Sequence, residues 1–194
     1  EEKVFNNGAA TVEDINNAVK SLNNKIAELV DPESPVDMTS NIVNPDFNGE
    51  TISGWTSTTK AQNNCTAHNV ADDPASNPDK AFDGKFYENW NPDPYTGKMY
   101  QEVKDLPNGV YKCSLAAFVN TLDLQNAVNQ KQYVYFNDTK LPLTTTNAKV
   151  YSSCIDVANN TIEMGLAQDS AITNWMGLDN AKIEYYGSGL KSYK

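Results

Sequence analysis

Ten residues, Phe86 to Tyr95 (FYENWNPDPY), read as a loop and hold the side chains in this sequence best suited to binding chemistry. Tyr87, Trp90 and Tyr95 offer aromatic faces, while Asn89, Asn91 and Asp93 offer donors and acceptors between them. A sugar is a natural match for that mixture, because its C–H faces stack on rings while amides and carboxylates take its hydroxyls. Trp90 has a second reading, as a core residue closing one end of the fold, and the sequence leaves both open.

Catalysis finds less support. His68 is the one histidine, and no G-x-S-x-G, H-E-x-x-H, Walker-type or dinucleotide fingerprint accompanies it. Asp83, Glu88 and Asp93 cluster near the aromatics, but glycoside hydrolysis needs two acids at a defined separation and nothing in the spacing fixes one. The expectation is a protein that is not an enzyme. Cys65, Cys113 and Cys154 match no zinc or redox spacing. Cys113 reads as a free, buried thiol in a strand, and a Cys65–Cys154 disulfide stays open for an oxidising compartment.

The elements that must hold these residues are strands. In Gly97 to Phe118 the run Leu106-Pro107-Asn108-Gly109 has explicit turn chemistry: Pro107 presets φ at the first central position, Asn108 tolerates the unusual φ of the second, and Gly109 suits the exit. It predicts two strands joined as a central hairpin. The second strand alternates and then becomes apolar on both faces from Leu115 to Val119, as a strand entering a sheet-on-sheet core does. Short strands are also expected at Trp55–Thr59 and Cys65–Val70, around Tyr133–Phe136, and from Tyr151 to Val157. A further strand, Thr161–Leu166, comes after a tight hairpin turn at Asn159-Asn160. Residues 71–79 read as a loop. In the closing segment the apolar parity switches between Met176/Leu178 and Ala181/Ile183/Tyr185, which predicts a bulge or break at Asp179-Asn180.

Ahead of the strands lies one helix. Thr11 and Asp14 have capping-box spacing, and Val12, Ile15, Val19, Leu22, Ile26 and Leu29 alternate steps of three and four before Asp31-Pro32 ends the run. Such a seam rests on its own domain or on a neighbouring helix, or it spaces the strands from another module.

Three segments together resemble the galactose-binding-like jelly rolls, and in particular bacterial carbohydrate-binding modules. They are Asn41–Trp55 (NIVNPDFNGETISGW), the Q-x-V-x-x-L-P-x-G-x-Y run at Gln101–Tyr111, and Asn174–Gly187 (NWMGLDNAKIEYYG). The resemblance implies an all-β fold, an antiparallel jelly-roll β-sandwich, with the one N-terminal amphipathic α-helix before it. Residues 1–37 would form helix and linker, and 38–194 the sandwich with a short C-terminal tail. It also implies a non-catalytic module binding a glycan or polysaccharide, in a secreted or cell-surface bacterial protein. The alternative is a structural or protein–protein interaction module, a spacer that meets other modules of a larger chain through its helix. Trp55 and Trp175 fall within the resembling motifs and are assigned to the core. Asp46 and Asp179 would meet where the opening and closing strands join, a place for structural calcium. This sequence has Asn48 where many such modules carry Glu.

With 15 Lys plus Arg against 25 Asp plus Glu, the formal charge is −10. That field repels phosphate backbones and anionic lipid, so nucleic acid is not an expected partner. No apolar run approaches the roughly 20 residues of a spanning helix, so membrane insertion is not expected either. The opening Glu1-Glu2-Lys3 reads as a mature or excised piece.

Overall fold

The structure is a computed structural model that describes residues 10–27, 30, 31, 33–49, 51–58, 62–67, 77–124 and 129–188. Among the described residues are one α-helix, α1 (Val12–Ala27), a single 3-10 turn (Thr39–Asn41) and eleven strands. The strands are β1 (Val36–Asp37), β2 (Thr56–Ser57), β3 (Gln62–Ala67), β4 (Lys85–Asn91), β5 (Tyr95–Val103), β6 (Gly109–Val119), β7 (Gln132–Phe136), β8 (Thr139–Pro142), β9 (Lys149–Val157), β10 (Ile162–Ala171) and β11 (Asn174–Tyr185). They form two antiparallel sheets. The first has the order β3-β4-β11-β6-β9, with β1 on the far end of β11, and the second the order β2-β5-β10-β7-β8.

Two-residue periodicity builds the core between them. Met99 and Val103 of β5, Val134 and Phe136 of β7, and Ile162, Met164 and Leu166 of β10 face Tyr111, Cys113, Leu115, Leu178, Ile183 and Tyr185 of the first sheet. All of these are buried. Phe47 and Trp55 close one end, with ring centroids 5.2 Å apart, and the Trp55 indole N–H donates to the carbonyls of Val43 and Asn44. Trp55 is therefore a core residue, as expected.

Almost every connection crosses from one sheet to the other, and this corrects two expectations. β5 and β6 are not a hairpin: β5 pairs with β10 and β2, while β6 pairs with β11 and β9. The Leu106–Gly109 turn is a corner. Leu106 plugs the core at 0% exposure, the Tyr111 and Tyr185 hydroxyls donate to the carbonyls of Pro107 and Asn108, and the Asn160 side chain donates to that of Leu106. Asn160, at φ 62°, makes the tight turn expected of it, yet β9 and β10 also lie in different sheets. The one two-residue hairpin among the described strands is β7–β8, turned at Asn137-Asp138.

The predicted irregularity in the closing strand is present. Between Asp179 and Lys182 the register of β11 against β6 shifts, with Asn180 at φ 50°, so apolar side chains on both sides of the shift face the core. The capping box is also present: the Asp14 N–H donates to Thr11 Oγ1 at 3.1 Å, and Asp14 Oδ2 accepts the Thr11 N–H at 2.9 Å. The helical seam is not covered by the sandwich, for Val12, Ile15, Val19 and Leu22 are 47–75% exposed. Among the described residues no helix is long and apolar enough to cross a membrane.

Cys113 is free and buried, and burial pushes its thiol up to about 12. Cys154 is free and exposed. The backbone of residue 65 lies on β3 and that of residue 154 on β9, opposite edges of a five-strand path. At about 4.8 Å per strand they are roughly 19 Å apart, far beyond the reach of a disulfide. His68 and residues 71–76 lie outside the described residues.

Candidate functional site

FYENWNPDPY is not a loop. It is all of β4 after Lys85, a three-residue turn, and the first residue of β5, so alternation divides its side chains between two environments. Tyr87 and Asn89 point between the sheets at 0% and 1% exposure, which corrects their assignment to a binding surface. Tyr87 packs against Phe47, with centroids 5.7 Å apart. Half-buried Tyr95 turns the same way: its hydroxyl donates to Asn89 Oδ1 at 2.9 Å and lies 3.0 Å from Met176 Sδ. Burial, reinforced by neighbouring Tyr87, drives the Tyr95 phenol pKa up, so it stays a neutral donor. Tyr87, Asn89 and Tyr95 support the site from inside.

Trp90, Asn91 and Asp93 remain on the outside. Trp90 is 47% exposed, which decides between its two readings: it is not a core residue. Asn91 Oδ1 accepts the Asp93 N–H at 3.0 Å, holding the Pro92-Asp93-Pro94 turn at the rim.

Two further residues join Trp90. Trp175 is its cross-strand partner on β11, and Glu88, two residues before Trp90, shares its face. The Trp175 indole N–H donates to Glu88 Oε2 at 2.6 Å. Trp175 is half-buried, resting on Phe118 and Phe86 at 4.6 and 5.9 Å, so it too lies outside the sheet and not in the main core. Beneath these rings Gly177 is obligatory. A Cβ there would fall 2.5 Å from Phe118 and 2.6 Å from Phe86. Phe82 packs on the same two phenylalanines at 5.1 and 5.5 Å, completing an aromatic bed. The site is thus a ring-lined sheet face with one oriented carboxylate. Alternation alone would have paired Glu88 with Trp90, given that the stretch is a strand. Nothing in the sequence announces that β11 lies beside β4.

The outer face of the second sheet also carries rings, Tyr100, Tyr133 and Tyr135. There the ammonium groups of Lys98 and Lys140 cover Tyr100 and Tyr133 at 4.0 and 4.1 Å, and Tyr133 and Tyr135 keep only 8% and 6% exposure. Rings already occupied by their own cations leave little face for a ligand.

Asp83 and Asp93 are too far apart for a hydrolytic pair. Glu88 is engaged by the indole of Trp175, and β4 separates Asp83 from Asp93 by roughly 20 Å at about 3.3 Å per residue, against the 5–10 Å that glycosidases use.

At the other end of this face, the β11 shift brings the opening loop and the 81–85 segment together. The Ala181 N–H donates to the Pro45 carbonyl, Asn180 Nδ2 to that of Ala81, and the Lys85 N–H to Asn48 Oδ1. Asp179 sits among them at 0% exposure. Its Oδ2 accepts the Asp83 N–H at 3.2 Å, while Oδ1 is buried with no hydrogen-bond partner among the described residues. Burial pushes its carboxyl up to about 8, against the donated N–H groups of Asp83 and Asn180, and the charges of Asp83 and Asp46 add to the rise. Asp46, whose Oδ1 accepts the Asn48 N–H, is therefore in electrostatic reach. An orphaned buried carboxylate oxygen with two further acids near it fits a hard cation. Asn48 has its amide oxygen on the Lys85 N–H, and among the described residues no three His, Cys, Asp or Glu side chains converge as a complete ligand set. Main-chain carbonyls and water would have to supply the rest.

No protein-family model matches this sequence, and no curated protein matches it. The fold does match solved structures. The Stig cyclase Fisc from Fischerella sp. TAU superposes with a TM-score of 0.53 at 12% identity, over 80% of this chain and 100% of that one. The arabinose-bound α-L-arabinofuranosidase MgGH51 gives 0.50 at 13%, over 74% of this chain but 26% of that longer one. TmCBM61, solved with β-1,4-galactotriose, gives 0.48 at 17%, over 72% and 94%. The chain thus shares a jelly-roll β-sandwich fold with a cyclase and with part of an arabinofuranosidase. Function must be read from the site.

Proposed function

We propose that this domain is a non-catalytic carbohydrate-binding module of a secreted or cell-surface bacterial protein, taking a glycan on the outer face of β4 and β11. The observation that carries it is Trp90: a tryptophan 47% exposed on a sheet face, opposite Trp175 and two residues from the indole-bound carboxylate of Glu88. Trp90 supplies the stacking surface. Glu88, aligned by Trp175, accepts hydroxyl hydrogens, and Asn91 and Asp93 at the rim add polar contacts. A net charge of −10 and a carboxylate in the site favour a neutral sugar over a uronic acid. A glycan array probed with the intact chain, followed by tryptophan fluorescence titration of its hits, tests this reading. Binding confined to neutral oligosaccharides supports it, and an array without hits removes it.

Calcium is proposed as a structural ligand of Asp179 and Asp46, at the other end of the same face from Trp90, joining the opening loop to the closing strand. Held there by the Asp179 carboxylate, it would supply the positive charge that offsets ionising Asp179 where it is buried. The second reading, a module that contacts another protein through its helix, is favoured by one observation, the exposed apolar stripe of α1.

A further inference from the structure

The helix turns part of its polar side toward the sandwich. Asn16, Lys20 and Asn23, with Val19 at their border, line one wall of an open crevice of about 320 Å³ whose other wall is Asp105 and Asn160. At 3.6 residues per turn, the centre of that polar face lies roughly a quarter turn from the centre of the Val12, Ile15, Val19 and Leu22 stripe. The apolar stripe therefore lies to one side of the crevice rather than over its own domain, and it is exposed at 75%, 48%, 51% and 47%.

We propose that this stripe is a dimerisation seam whose occupant is the same helix of a second copy, in a parallel two-stranded coiled coil. The spacing selects that partner. Steps of three and four repeat every 3.5 residues on average, the period that keeps a stripe facing another helix rather than a sheet. With Val12 at position a, the described a sites, Val12 and Val19, are both β-branched, and the described d sites are Ile15 and Leu22. β-branched a sites with Leu22 at d favour two parallel strands. Charge is compatible with self-pairing. The positions flanking the seam are Thr11, Asn16, Ala18, Asn23 and Lys25, so an in-register copy brings no two acids together across it, and Glu13 and Asp14 lie on the outer sides. Length limits the strength: with 16 residues in α1 the association is weak and concentration-dependent.

Sedimentation equilibrium of the intact chain over a wide concentration range tests the seam. A monomer–dimer equilibrium is expected, tightening with added salt because each copy carries a charge of −10. Leu22→Asp should weaken it by more than about tenfold without changing glycan binding, so failure here is separable from failure of the sugar reading. Register is read in a Cys154→Ser background. Val19→Cys, at a seam position, should oxidise to a disulfide dimer far faster than Asn17→Cys, which faces outward. A monomer at every concentration, a Leu22→Asp dimer of unchanged strength, or equal cross-linking at both positions would overturn the proposal.

Discussion

Asp179 is the residue whose chemistry is most out of keeping with its surroundings. With its carboxyl pushed up to about 8 from an ordinary 3.8, the folded protein holds a proton that the unfolded chain releases. Stability from this group is therefore complete below about pH 4 and is lost as pH rises through about 8. In chelator, thermal melts should show that decline, and Asp179→Asn, which carries no charge to bury, should flatten it, with a difference on the order of a few kcal/mol at the alkaline end. Calcium acts in the opposite sense, binding the ionised folded form, so excess calcium should raise the wild-type midpoint above pH 7 and leave Asp179→Asn unmoved. Equal wild-type midpoints with calcium and chelator would remove the cation site. Gly177 provides a purely steric prediction. Alanine there meets two phenylalanine rings and should cost about 1–3 kcal/mol in denaturant unfolding.

At the scale of elements, local rules were legible and sheet membership was not. Parity along β11 located the bulge, since a period-two strand has no other way to keep Met176 and Ile183 on one buried face. Pro107, Asn108, Gly109 and Asn160 marked their turns, because turn residues are chosen by φ and ψ. The same torsions leave open whether the next strand returns to its own sheet or crosses to the other. The aromatic stretch was misjudged for a related reason: its asparagines and prolines suggest a loop, while β3 and β11 on either side impose a strand and divert Tyr87 and Asn89 inward. Tyr95→Phe separates an interior role from a binding one. It removes the hydrogen bond to Asn89 from the interior and should lower stability by about 0.5–1.5 kcal/mol, leaving sugar affinity unchanged. A large loss of affinity at constant stability would return Tyr95 to the binding surface.

For the whole molecule, two sheets with crossing connections leave two outer faces, and their chemistry differs. One carries tyrosines already under lysine ammonium groups, the other a half-exposed tryptophan beside an oriented carboxylate. The distinction depends on which strands are neighbours, a property of the fold that no single stretch of sequence encodes. The central claim is that Trp90 is a sugar platform. Calorimetric titration of the best neutral oligosaccharide into wild type and Trp90→Ala tests it most directly. Affinity should fall by more than about tenfold, with an unfolding midpoint nearly unchanged because the ring is half in solvent. Equal affinity for both proteins would contradict it.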